Sequence, residues 1–263
     1  MLASINISLP GSEANTHLAR DHGRDVWVTF APGKRMLRRA LLITVVFVLS
    51  SACFAQEDRT TIKKSLIPWV GTDTRNFIPQ GWKLEEQKSA DLDGDGNADY
   101  VLKLIENKPA RTADDATNDR ARAVIVLLSD SAGKLTRAAV ADKLLQCTGC
   151  GGAFYGAMEA PAEVEVDAKG VITVSQDHGS REVSNTTYKF RYDPAVKRFV
   201  LIGFDYVEND RASGKVVSES TNYLTGVRKT NNRTAPITKS KVFLDDVDYE
   251  QFEEAAVKRL GLG

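Results

Sequence analysis

The chain has 263 residues, with 35 Lys and Arg balancing 35 Asp and Glu, and 42% hydrophobic side chains. This aliphatic content excludes a disordered chain. The absence of a basic excess or of any Lys/Arg cluster excludes the positive face that nucleic acid or an anionic membrane surface demands.

Residues 1–35 carry no helical or strand period. From Met36 the chain reads MLRRALLITVVFVLSSACFAQ: Arg38 and Arg39 form a positive start, 40–49 an apolar run, and Ala55 precedes a cleavage point. That is the pattern of a secretory signal peptide. The apolar run is half of the ~20 residues needed to span a bilayer, so no transmembrane segment is expected in the mature protein. Because such a leader begins a chain, residues 1–35 are expected not to be translated, with 36–55 the leader and 56–263 a single mature domain in the periplasm or secreted. A cut before Cys53 would instead anchor a lipoprotein, although 49–52 lacks the usual aliphatic residue three positions ahead. Removing 1–55 leaves 29 basic and 32 acidic side chains, a mild negative charge.

From Gly81 onward, short runs rich in Val, Ile, Tyr and Phe alternate with turn residues, which makes the mature chain mainly β. Residues 100–105 and 123–128 are almost continuously apolar, as in strands covered on both faces. They frame a predicted hairpin over 81–130. The stretch ENKPARTADDATNDR between them has no apolar period and reads as a surface loop.

Ahead of the first of these strands stands Asp91-Leu92-Asp93-Gly94-Asp95-Gly96-Asn97-Ala98-Asp99. Calcium takes six to eight oxygens, and acidic side chains at every second position of a tight loop converge on one point. Asp91, Asp93 and Asp95 are candidate side-chain ligands, Asn97 a candidate carbonyl ligand, and Asp99 a further carboxylate. An EF-hand needs Glu at the twelfth loop position, which here is Leu102. The string DLDGDGNADYVL resembles the calcium loop of FG-GAP (integrin-type) repeats. The preceding FIPQGWK, and the later order of CxxCGG, YKFRY, LIGFDY and NYLTG, resemble secreted bacterial proteins with FG-GAP or VCBS repeats. The resemblance implies a β fold and a calcium ion, and no activity. Only one copy of the loop is present, so a single calcium-loop hairpin is expected and not a full propeller.

The Gly-rich loop 147–157 opens with Cys147-Thr148-Gly149-Cys150, the only two cysteines after the leader. In an oxidising compartment two close thiols pair, so a disulfide is expected. Zinc would need His178 and a carboxylate as further ligands. A thioredoxin-like redox site would need a helix start, which Gly151 and Gly152 oppose.

Residues 164–231 alternate between apolar and polar positions as an antiparallel meander, with Asp193-Pro194 and Gly214 at its turns. One face is buried and the other is a wet surface open to a protein or glycan partner. The tail 248–260 reads as a short helix: Asp248 caps it, Val247 and Phe252 staple it, Lys258 and Arg259 occupy its last turn and Gly261 ends it. With these capping signals, Asp245, Asp246 and Asp248 need not form a second metal site.

No residue set carries a catalytic signature. The G-x-S-x-G elbow, H-E-x-x-H helix, P-loop and dinucleotide glycine pattern are all missing. Asp177-His178-Gly179-Ser180, with Ser175 nearby, reads as a turn between strands and not as part of a triad. Trp69, Trp82, Phe154 and Tyr155 are expected in core packing. The sequence therefore points to an extracytoplasmic calcium-binding β protein with a binding or structural role. The alternative is an extracytoplasmic hydrolase that uses carboxylates and holds a structural calcium.

Overall fold

The computed structural model describes residues 60–112, 114 and 117–262. The leader, its cut and residues 1–35 lie outside the described residues. The described residues form one compact unit. Two antiparallel sheets and one C-terminal helix make up its architecture, and the sheets form neither a barrel nor a propeller.

The first sheet contains β1 (Val70–Gly71), β2 (Trp82–Ala90), β3 (Asp99–Glu106), β4 (Arg122–Ser129) and β5 (Leu135–Ala141), in the spatial order β1-β5-β4-β3-β2. Its central strands β3 and β4 are covered on both faces, as their apolar runs require. Val101, Val124 and Val126 point into a core shared with the second sheet. Leu102, Leu104, Ala123, Ile125 and Leu127 point the other way, under Ile62, Ile67 and Phe77 of the segment ahead of β2. Phe77 arrives there through a single 3-10 turn at Thr74–Phe77, whose start is held by a reciprocal capping box between Asp73 and Asn76. Strand β5 escaped the sequence reading because LTRAAVA has no large apolar alternation to announce it.

The second sheet is a seven-stranded meander whose spatial order follows the chain: β6 (Ala162–Val166), β7 (Ile172–Gly179), β8 (Glu182–Asp193), β9 (Arg198–Asp210), β10 (Lys215–Asn222), β11 (Val227–Thr230) and β12 (Arg233–Pro236). It extends beyond 164–231 at both ends. β12 is exposed throughout, and its closing Pro236 suits an edge that need not donate further.

The register sorts the inner face of this sheet into rows. Val174, Tyr188, Phe204 and Thr221 form one, Gln176, Thr186, Tyr206 and Glu219 the next, and His178, Ser184, Glu208 and Val217 the one beyond. The face therefore grades from aromatic to polar along the strands. Helix α1 (Tyr249–Leu260) lies over it, with Phe252 at 5.7 Å from the Tyr188 ring and 5.3 Å from the Phe204 ring. The Asp248 side chain accepts from the Glu250 amide, and Gly261 takes the left-handed conformation that ends the helix. Glu219 is fully buried beneath the helix and is held by Arg259 from α1 at 2.6 Å and by Arg228 from β11 at 3.3 Å. Removing such a carboxylate would strand two cations. Asp245 and Asp246 pair with Arg198, and Asp248 pairs with Lys143, so these acids serve the chain's own packing.

Candidate functional site

The acidic loop closes the β2–β3 hairpin between the paired residues Ala90 and Asp99. Its shape comes from its own side chains. Asp91 accepts the amides of Gly94 (2.7 Å) and Gly96 (3.0 Å), and Asp93 accepts that of Asp95 (3.2 Å). Gly94 and Gly96 both have φ +86°, a conformation that side chains with a Cβ avoid. Leu92 turns inward and is buried in the core between the sheets, which anchors the loop. The β6–β7 turn presses on it from the second sheet, so closely that a Cβ on Gly170 would lie 2.8 Å from the Asp91 carbonyl oxygen.

Asp99 is completely buried. Its two oxygens accept the Leu92 amide at 2.8 Å and the Ser129 amide at 2.7 Å, tying the loop to the far end of β4. Asp91, Asp93 and Asp99 each bring a carboxylate oxygen within 4.8 Å of the other two. Asp95 stays outside that group: its carboxylate accepts both the backbone and side-chain amides of Asn97, at 2.8 Å each, and these bonds lower its pKa. Burial raises the pKa of Asp93 and of Asp99, and the neighbouring carboxylate charges add to both shifts. Burial and like charges close by both disfavour the ionised form of a carboxyl group. The donor set is all hard oxygen, which fits calcium or magnesium and does not fit metals that prefer sulfur or imidazole. Such an ion would be held by Asp91, Asp93 and Asp99.

The second loop is built differently. Cys147 and Cys150 form a disulfide, with their Cα atoms 5.0 Å apart. Inside the ring, Thr148 is bonded to its surroundings on three sides. Its amide donates to the Arg120 carbonyl (3.0 Å), its hydroxyl accepts from the Arg120 amide (2.9 Å), and its carbonyl accepts from the Ala160 amide (2.8 Å). Gly152 packs against the end of β7 so tightly that a Cβ would lie 2.6 Å from the Gly179 carbonyl oxygen. Arg120 is buried and pairs with Glu159. The end of the stretch 106–120 is therefore not the solvated loop that its composition suggested. Arg120 is matched by Thr148 and Glu159, 28 and 39 residues away.

His178 belongs to the last residues of β7, with the turn itself at Ser180 and Arg181. Its Nε2 lies 2.7 Å from Glu253 Oε2 and 3.2 Å from Ser184 Oγ. A Ser-His-acid relay needs the acid and the serine on opposite ring nitrogens. Here both meet the same one, and the pair joins helix α1 to the sheet. The disulfide takes both cysteine sulfurs that a zinc site would have used.

The aromatic expectations divide. Trp82 packs against the outer core and Tyr155 is half-buried, its hydroxyl donating to Asp177. Burial, with that carboxylate beside it, pushes the Tyr155 phenol up to about 12. Trp69 is 70% exposed, with the Arg137 guanidinium 3.9 Å from its ring centre, and Phe154 is exposed with Arg211 over its ring. Cation–π contact replaces the core packing expected for these two.

No family model matches the chain, and no match is found among characterised proteins or solved structures. Among the described residues, no helix is long and apolar enough to cross a membrane.

Proposed function

We propose that the protein is an extracytoplasmic calcium-binding β protein whose role is binding or structural. The observation that carries this reading is the convergence of Asp91, Asp93 and Asp99 within 4.8 Å on a loop anchored in the core by Leu92. Three anions gathered at one point repel one another, and a divalent cation converts that cost into a gain. Asp99 extends from the site to the end of β4, and the β6–β7 turn rests on the loop. The ion would therefore brace both sheets as well as the hairpin. The leader at 36–55 and the FG-GAP-like pattern support an extracytoplasmic, calcium-containing setting. The shared contacts of His178 Nε2 with Glu253 and Ser184 give no support to a hydrolase of the Ser-His-acid class.

Isothermal titration of calcium into EGTA-treated protein tests the reading, with Asp93→Ala alongside. One ion per chain, lost in the variant, is expected. Absence of binding heat together with an unchanged melting temperature on adding calcium would overturn it.

A further inference from the structure

The open edge of the seven-stranded sheet carries charges that the protein itself leaves unanswered. Between Glu219 and Asp245 the chain holds Arg228, Lys229, Arg233, Lys239 and Lys241 and no acidic residue. These cations are spaced too widely to read as a cluster in the sequence. The β11–β12 hairpin and the residues just after it bring them to one side of the sheet. Two are engaged internally, Arg228 with Glu219 and Lys241 with Asp193. Lys229, Arg233 and Lys239 are exposed and have no acidic partner among the described residues. They form a narrow basic edge and not the broad face that nucleic acid needs.

The backbone of this edge is free as well. β12 pairs with β11 alone, and all four of its residues are exposed. The hairpin turns through Asn231-Asn232, so Thr230 and Arg233 are the first pair to exchange hydrogen bonds, and such pairs alternate along an antiparallel ladder. Arg233 and Ala235 therefore direct their peptide groups at β11. Thr234 presents its N–H and C=O, and Pro236 its C=O, to the outside. Pro236 has no N–H, so it ends the row of donors. Side chains alternate in the same register: Arg233 stands in the row of Thr230 and Glu219 on the helix-bearing face, and Thr234 in the row of Lys229 and Ser220 on the other. A strand laid along β12 thus meets a cation on each face. Edge charges keep copies of a chain from pairing with one another, and here the free ones are all of one sign. That sign repels a second β12 and leaves the edge open to its opposite. A polyanion without a peptide backbone answers the cations but not the Thr234 N–H and C=O. We infer that β12 docks an acidic, extended segment of a partner protein, which adds to the sheet as a further strand with carboxylates set against Arg233 and Lys229.

The test presents the purified protein with a peptide of alternating Glu and Thr, its counterpart of alternating Lys and Thr, and heparin as a polyanion without a peptide backbone. Binding is read by calorimetry and by hydrogen exchange of the Thr234 amide. The acidic peptide is expected to bind and to slow that exchange, and neither the basic peptide nor heparin is expected to slow it. Lys229→Glu combined with Arg233→Glu is expected to weaken the acidic peptide about tenfold through the loss of two cross-strand charge pairs. Thr234→Pro removes the outward N–H without touching a bond to β11, and is expected to weaken it about fivefold, the loss of one hydrogen bond. Both changes fall at exposed positions, so the melting temperature should not move. Absence of binding by the acidic peptide, binding that leaves Thr234 exchange unchanged, binding that the basic peptide shares, or binding that neither variant weakens overturns the inference. The exchange result on the unaltered protein decides the matter even if a variant fails to fold. The inference stands apart from the metal site, so the peptide should bind equally in EGTA and in calcium. Failure of the peptide with calcium binding intact condemns the edge alone, and peptide binding without calcium binding condemns the metal site alone.

Discussion

The acidic loop and the disulfide loop are both glycine-bearing connections, yet they are ordered by opposite means. In the first, Asp91, Asp93 and Asp95 satisfy amides two to five residues away, so the turn is written almost entirely within its own nine residues. The carboxylates left facing one another are the loop's unfinished business, and a cation would complete it. In the second, Thr148 reaches Arg120 and Ala160, and Gly151 accepts from Gly179, so its order is borrowed from three distant segments and closed by a covalent bond. A loop that is locally determined but electrostatically incomplete should respond to ions. One that is globally determined and covalently closed should respond to reductant.

The largest expected effect lies at the one acidic residue that breaks the pattern of local bonding. Asp99→Ala removes the acceptor of two amides, on Leu92 and Ser129, and unsatisfied amides of this kind cost about 1–3 kcal/mol each. Urea unfolding in EGTA should show a loss of about 3 kcal/mol. Asp99→Asn, which keeps one acceptor oxygen, should lose about half of that. Asp93→Ala is the contrasting case, since Asp93 accepts only the nearby Asp95 amide and sits among like charges. In EGTA it should leave stability unchanged or raise it.

Calcium itself comes next. At ~100 times its dissociation constant the ion should add about 2.7 kcal/mol to the wild-type protein and nothing to Asp93→Ala. A wild-type midpoint indifferent to calcium would dissolve the contrast between the loops. The disulfide follows closely. Closing a four-residue ring restricts the unfolded chain by about 2 kcal/mol in the chain-entropy account. The Cys147→Ser/Cys150→Ser variant should lose that amount with its calcium response intact. If the loops are independent, combining the cysteine changes with Asp93→Ala should be additive to within about 0.5 kcal/mol.

How far the sequence foretold each loop follows from the same contrast. The β class, the doubly covered strands β3 and β4, the meander and the capped helix were legible because periodicity and capping are short-range signals. The bend of the acidic loop at Gly96 was legible for the same reason, and that residue has φ +86°. What was not legible was long-range. Leu92 is a single apolar residue among acids, and nothing local shows that it enters the core between the sheets. Arg120 lies in a charged stretch whose partners, Thr148 and Glu159, are decades of residues away.

The smallest effect concerns the strand end on which the disulfide loop rests. The Gly179 amide donates to the Gly151 carbonyl, and next to it His178 joins Glu253 of helix α1. The hydrogen bond donated to Glu253 raises the His178 pKa above its ordinary 6.5, against the opposing effect of burial, with Asp177 and Glu208 adding smaller favourable fields. A histidine whose folded pKa is raised contributes stability that is fully present below its unfolded value and is lost as pH rises through the folded one. Urea midpoints should therefore fall as pH rises above 6.5 and through the raised folded value, and His178→Gln should flatten that slope by removing the titrating ring. Because the pair belongs to the helix and the disulfide side of the molecule, the slope should be the same in EGTA and in calcium. A slope that changes with calcium would couple the two regions through the sheets and break the division between them.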